Sequence, residues 1–313
     1  MPWIKQGLIY NARGHRSWNK THASVPTVDV VSDQVWRIYF ASRDLENRSH
    51  TSFIDVEAEN PENILYEHDS PILPLGKLGS FDDCGIMPSW IVNVKNTKYL
   101  YYIGWTQRRT VPFHNGVGLA VSHDGGKTFQ RLAEGPLFGV THREPYFTAS
   151  SSVMLDGTVW RCWYLSCTKW RMINERPEAF YHIKYAESED GIDWDRKGHI
   201  AIDFKSESEA GISRPSVLKD ADCYKMWFSY RDGRDYRTDR NASYRIGYAE
   251  SYDAKHWTRM DRQSGITLSD EGWDSLMIEY PHVFFHGEQK YMLYNGNGFG
   301  ASGFGYARFL ADK

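Results

Sequence analysis

The sequence predicts an all-β fold: a five-bladed β-propeller built as a single domain over residues 1–313, with the N-terminal strand closing the last blade. Three observations carry this reading. A motif recurs at Pro26, Pro88, Ser151, Pro215 and Pro281, at intervals of 62, 63, 64 and 66 residues. Each copy contains three or four short β-rich runs split by Gly, Asp and Asn turns, as a four-stranded blade requires. The last copy stops after three runs, while the N-terminus offers the missing fourth.

The copies are read in order. The first opens at Val25-Pro26-Thr27-Val28 and continues through Arg37-Ile38-Tyr39-Phe40. The second has Met87-Pro88-Ser89-Trp90-Ile91, then Tyr99 to Trp105, then Gly118 to Asp124, and closes at Phe129-Gln130-Arg131. The third runs from Ser150-Ser151-Ser152 through Trp160 to Ser166 and Ile183 to Asp190, closing at Trp194-Asp195-Arg196. The fourth has Ser213-Arg214-Pro215, Tyr224 to Tyr230, Arg245 to Asp253 and Trp257-Thr258-Arg259. The fifth has Tyr280-Pro281-His282-Val283, Tyr291 to Tyr294 and Phe304 to Phe309. Pro at the anchor suits the first residue of a strand, where no ladder donor is needed. Trp3-Ile4-Lys5 matches the closing runs, so Trp3 is expected where Phe129, Trp194 and Trp257 sit.

The segments Ser122 to Phe129, Ser188 to Trp194 and Ser251 to Trp257 are versions of one Asp-containing hairpin turn. Asp there caps nearby backbone N–H groups. Asp124, Asp190 and Asp253 are therefore structural, and the trailing aromatic packs between blades.

Composition narrows the function. Aromatic residues make up 15% of the chain, with 12 Trp and 20 Tyr, enough for a large core. The formal charge of −3 and the lack of a basic run argue against nucleic acid. No apolar run is long enough for a membrane span, and the first residues lack the apolar stretch of a signal peptide. A cytoplasmic protein is expected. The four cysteines, Cys84, Cys162, Cys167 and Cys223, read as free thiols rather than a disulfide framework or zinc site. No cofactor or metal motif is present.

The residues ahead of each anchor are expected to face one mouth of the central channel. They supply His22, then Asp82 and Asp83, then Arg143 and Glu144, then Arg214, then Asp274, Glu279 and Tyr280. The ends of the second strands add Arg43-Asp44, Arg231-Asp232 and Asn295. Carboxylates converging among aromatic side chains suit sugar chemistry, in which an acid and a base or nucleophile flank the scissile bond. Asp83, Glu279 and Glu144 are the catalytic candidates. His22, Arg43, Asp44, Asp82, Arg143, Arg214, Asp274 and Tyr280 are the substrate-binding candidates. The arginines point to an anionic sugar.

With Glu279-Tyr280-Pro281 and Ser213-Arg214-Pro215, the five copies resemble the five-bladed propeller glycosidases, a superfamily that includes arabinanases, xylosidases, invertases and mannoside phosphorylases. The resemblance implies a glycosidase-like hydrolase or phosphorylase acting on a sugar or sugar conjugate. The superfamily's acidic triad is not reproduced position by position: Val25-Pro26 has no Asp beside it, Asp82 and Asp83 lie ahead of Pro88, and Glu-x-Pro falls in the fifth copy. A transferase or tailoring enzyme of surface polysaccharide synthesis, and a non-catalytic carbohydrate-binding propeller, are the alternatives. Paired carboxylates across the channel favour a glycosidase. An arginine-lined pocket with room for a diphosphate favours the transferase or tailoring enzyme. A shallow aromatic face without paired acids favours binding alone.

Overall fold

The computed structural model describes residues 2–221 and 223–310. The chain is nearly all β. Strand β1 (Trp3–Tyr10) is followed by four antiparallel groups of four. The first is β2 (Thr21–Ser32), β3 (Val35–Arg43), β4 (Ser49–Glu57) and β5 (Ile64–Glu67). The second is β6 (Gly85–Val94), β7 (Thr97–Gln107), β8 (Phe113–Ser122) and β9 (Gln130–Arg131). The third is β10 (Thr148–Asp156), β11 (Val159–Ile173), β12 (Arg176–Ser188) and β13 (Trp194–Ile202). The fourth is β14 (Glu209–Asp220), β15 (Cys223–Asp232), β16 (Arg245–Ser251) and β17 (Thr258–Arg259). The chain ends with β18 (Glu279–His286), β19 (Gln289–Asn295) and β20 (Phe304–Phe309), and β1 pairs antiparallel with β20 as the fourth strand of this last sheet. Among the described residues no helix is long and apolar enough to cross a membrane, and all four cysteines are free.

The first strands adjoin one another in the order β2, β6, β10, β14, β18, and β18 adjoins β2. Strands that splay from a common centre leave inner N–H groups without ladder partners, and such groups must be satisfied another way. The residue after the anchor does this. Ser89 Oγ accepts from Ser151 N–H at 2.6 Å, Ser152 Oγ from Val217 N–H at 3.2 Å, and Ser216 Oγ from Val283 N–H at 2.7 Å. Each hydroxyl stitches one first strand to the next.

Between groups the packing repeats as well. A second-strand aromatic of one group meets the closing aromatic of the next: Tyr39 with Phe129 at 5.8 Å, Tyr101 with Trp194 at 6.3 Å, Trp163 with Trp257 at 5.9 Å and Trp227 with Trp3 at 5.6 Å between ring centroids. All four pairs are edge-to-face, a geometry aromatic quadrupoles favour. In the Asp turns the carboxylates cap backbone: Asp124 accepts from the N–H groups of Lys127 and Thr128, Asp190 from those of Ile192 and Asp193, Asp253 from those of Lys255 and His256.

Trp3 is buried and also stacks edge-on against Phe309 at 5.0 Å. It therefore couples the N-terminal strand to two groups at once. Trp3→Ala is expected to cost about 3–5 kcal/mol, the range for a buried Trp truncated in a packed core. Equilibrium denaturant unfolding measures this; a loss below about 1 kcal/mol means β1 is not part of the cooperative fold.

Candidate functional site

Every first strand breaks register at its anchor. In four groups the residue before the anchor takes a left-handed backbone: Val25 (φ 56°), Ser150 (30°), Arg214 (49°) and Tyr280 (54°). Such conformations cost of order 1–3 kcal/mol outside glycine and persist only where the surroundings impose them. Neighbouring groups impose them here. Asn295 Oδ1 accepts from Val25 N–H at 2.8 Å, and Ser229 Oγ accepts from Tyr280 N–H at 2.8 Å. A bulge of this kind re-aims side chains off the sheet. Val25, Met87, Ser150, Ser213 and Tyr280, one from each first strand, border a single cavity of about 480 Å3.

The rest of the wall comes from the same end of the second and third strands. Arg43 and Trp105 stand near the ends of β3 and β7, and Phe113, Asn115 and Tyr181 lie on β8 and β12. Arg108, just past β7, adds a second guanidinium. Among the described residues, no carboxylate borders the cavity. Two of its tyrosines are held from behind by Arg231, which is buried and donates to Tyr244 at 3.2 Å and Tyr181 at 3.3 Å while lying 3.8 Å from the Tyr236 ring centroid.

Glu279 sits behind this wall. It is 0% exposed, and neither carboxyl oxygen has a hydrogen-bond partner among the described residues. Burial pushes its pKa well above the ordinary carboxyl range; the adjacent Tyr280 side chain and the Arg231 and Arg43 guanidiniums oppose the shift without overcoming it. Burial thus favours the protonated form of Glu279, one residue from the cavity wall. Burial likewise lowers the guanidinium pKa of Arg43, which donates to Asn47 at 3.1 Å and has no carboxylate bridge among the described residues. His22 is kept neutral: burial, with Arg43 nearby, lowers its pKa to about 4.

Of the residues singled out in the sequence, Arg43 and Tyr280 border the cavity and Glu279 lies behind it. The other acids are elsewhere, and the reason is a repeated clasp. Asp82 accepts from Tyr102 at 3.0 Å and Arg131 at 2.7 Å. Glu144 accepts from Tyr164 at 3.0 Å and Ser166 at 2.8 Å, and faces Lys184 and Arg196, each at 3.2 Å. Asp274 accepts from Tyr294 at 3.0 Å and Lys5 at 2.6 Å. In each case the tyrosine lies 20 positions on. The cation follows the closing aromatic by two positions: Phe129/Arg131, Trp194/Arg196 and Trp3/Lys5. Glu209 meets Arg259, two after Trp257, at 2.6 Å. These acids tie the approach to the first strand onto the second and fourth strands of the same group.

The remaining candidates also lie off the cavity. Asp83 accepts from Gly79 N–H at 3.0 Å within its own turn, and its hydrogen bonds hold its pKa low despite partial burial. Asp44 closes the β3–β4 turn, bound by the N–H groups of Glu46 and Arg48 and by the side chains of Arg48 and His50. Arg143 is exposed on the β9–β10 connection. Arg214 is buried, donates to the Pro26 carbonyl at 3.0 Å and does not border the cavity.

Trp105, Arg108, Phe113, Asn115 and Tyr181 went unread in the sequence. One signal was available: Trp105 follows its anchor by 17 positions, as Arg43 does. Among the described residues, no three His, Cys, Asp or Glu side chains gather into a metal-binding group.

No protein-family model matches the chain. Two uncharacterized proteins of Mycobacterium tuberculosis, Rv1502 and MT1551, are each 37% identical over 308 residues, covering 98% of this chain and 99% of theirs. Solved structures share the fold at lower identity. A complex of BT0996 with RGII superposes with a TM-score of 0.71 at 18% identity, over 99% of this chain and 92% of its own. A thermostable family-43 glycoside hydrolase gives 0.65 at 16%, over 97% and 94%. A structure from the GH130 family of mannoside phosphorylases gives 0.70 at 13%, over 99% and 94%. The fold is that of glycoside hydrolases and phosphorylases.

Proposed function

We propose that this chain, which belongs to one family with the Mycobacterium tuberculosis proteins Rv1502 and MT1551, is a sugar-active enzyme that moves a glycosyl group to or from phosphate. Its five strand groups are read as the blades of one closed propeller, with β1 completing the fifth and the substrate held at the channel mouth.

One observation carries the reading. The cavity wall offers two guanidiniums and no carboxylate among the described residues, with a buried carboxyl behind it whose pKa is raised. Hydrolysis by two carboxyl groups needs both within roughly 5–10 Å across the scissile bond. Phosphate supplies its own nucleophilic oxygen, so one proton donor and a cationic cradle suffice. In phosphorolysis a phosphate oxygen bonds to the anomeric carbon as the glycosidic C–O bond breaks. The Glu279 proton passes by way of Tyr280 to the departing oxygen. Arg43 and Arg108 hold the phosphate, since guanidinium forks match its oxygens. Trp105 and Phe113 give the apolar faces on which a sugar ring stacks. The same parts serve a sugar-phosphate donor and a hydroxyl acceptor in reverse.

A thermal-shift titration tests this with neutral sugars, uronic acids, inorganic phosphate and sugar 1-phosphates. Phosphate and sugar phosphates are expected to stabilise the protein, and Arg43→Ala is expected to weaken that binding about ten- to a hundredfold, the value of a charge-assisted hydrogen bond. Equal stabilisation by neutral sugars, unchanged in Arg43→Ala, overturns the phosphate reading.

A further inference from the structure

The middle of the ring holds a positive charge with no counter-charge. Arg214 is 0% exposed. Its guanidinium donates to the Ser89 carbonyl, to the Pro26 carbonyl at 3.0 Å and to Thr27 Oγ1 at 2.9 Å, and lies 3.5 Å from His282 Nδ1. Every partner is neutral, since burial and the Arg214 charge hold His282 unprotonated. No carboxylate forms a salt bridge to it among the described residues. Its Nε–H has no acceptor among them either. The preceding residue, Ser213, is also buried with an unpartnered hydroxyl, and it borders the 480 Å3 cavity above. Trp90 packs at a tilt against His282, with ring centroids 4.5 Å apart.

Taking an ion out of water is costly unless an opposite charge or dense hydrogen bonding replaces the solvent. A guanidinium carries five N–H donors and remains charged at ordinary pH, and here Nε–H and one Nη1–H are left without an acceptor among the described residues. A water at Nε would satisfy the hydrogen bond and leave the net charge. A small anion satisfies both.

We propose that the centre of the propeller binds a monovalent inorganic anion of the halide class, held by Nε–H of Arg214 and the hydroxyl of Ser213 and admitted from the cavity. The anion neutralises the one side chain that spans the first strands of the first, second and fourth groups. It therefore stabilises the ring and sets the floor of the cavity. This site is separate from the phosphate cradle at Arg43 and Arg108 and does not depend on the sugar reading.

The test uses the intact chain at constant ionic strength, exchanging sodium gluconate for sodium chloride or bromide. The melting temperature is expected to rise and saturate with halide, because a ligand that binds only the folded state stabilises it by mass action. Ser213→Ala is expected to shift the halide midpoint several-fold upward, whereas Arg43→Ala leaves it unchanged. Bromide-soaked crystals are expected to show an anomalous peak beside Arg214. Identical melting in gluconate and halide overturns the proposal. So does a halide midpoint that moves with Arg43→Ala and not with Ser213→Ala, or a bromide peak confined to the arginines of the cavity wall.

Discussion

Glu279→Gln is expected to lower turnover about 10²- to 10⁴-fold, the contribution of a positioned general acid, while raising stability above neutral pH. The two effects have one cause. The wild-type carboxyl is buried without a hydrogen-bond partner among the described residues, and burial favours its protonated form in the folded state. In the unfolded chain the same group ionises in the ordinary carboxyl range. Its folded pKa thus lies above its unfolded pKa, so the unfolded state sheds a proton first and folding is penalised as pH rises. Stability is whole below the unfolded pKa and is lost as pH climbs toward the folded value, by up to about 1.4 kcal/mol per pH unit. Gln has the same shape and does not titrate. The two proteins are expected to unfold alike near about pH 4, with the variant increasingly more stable from about pH 5 to 8. Denaturant melts at several pH values read the stability, and product formation from a sugar 1-phosphate reads the chemistry. Parallel pH profiles of the two proteins are incompatible with a buried neutral Glu279.

Glu144→Ala is expected to do the opposite: a loss of about 3–5 kcal/mol of stability, the cost of breaking a buried ion pair and stranding its partner. Glu144 receives hydrogen bonds from Tyr164 and Ser166 and faces two cations, Lys184 and Arg196, all substantially buried. Removing the carboxylate leaves two positive charges and two hydroxyls without their acceptor. Ligand binding by the fraction that remains folded is expected to be unchanged, because Glu144 does not border the cavity. Thermal unfolding together with phosphate titration separates the two roles. A stable protein that has lost phosphate binding would place Glu144 in the site after all. Asp274→Ala, which strands Lys5 and Tyr294, is expected to follow the same pattern, weakened because Lys5 is partly solvated.

The contrast between these two glutamates marks where the sequence stops speaking. Both stand ahead of an anchor in an aromatic setting, and both read as acids at a channel mouth. Their difference lies in what arrives from elsewhere. The cations that meet Glu144 lie 40 and 52 positions on, at Lys184 and Arg196, and turn the acid into a clasp. No described residue forms a salt bridge or a hydrogen bond to the Glu279 carboxyl, and burial favours its protonated form. Local residue type is identical, and the partner comes from a different strand.

What the sequence determined by itself was the part of the structure that repeats. Period-two strands, Asp turns and a proline or serine anchor are local, and each recurs often enough for coincidence to fail. The pairing of β1 with β20 was legible for the same reason, because Trp3-Ile4-Lys5 is a copy of Trp194-Asp195-Arg196. The repeat even contains the clasp, in acid–tyrosine pairs 20 apart and a cation two after each closing aromatic. Only the tertiary structure decided which positions leave the repeat to form the site. Arg43, Trp105, Asn115 and Tyr181 share a wall with Val25, Ser150 and Tyr280, whose left-handed backbones break the register of their strands. A side chain's solvation and its counter-charge are properties of three-dimensional neighbours. They raise the pKa of Glu279 and leave Arg214 without a carboxylate bridge among the described residues, and no spacing along the chain encodes either.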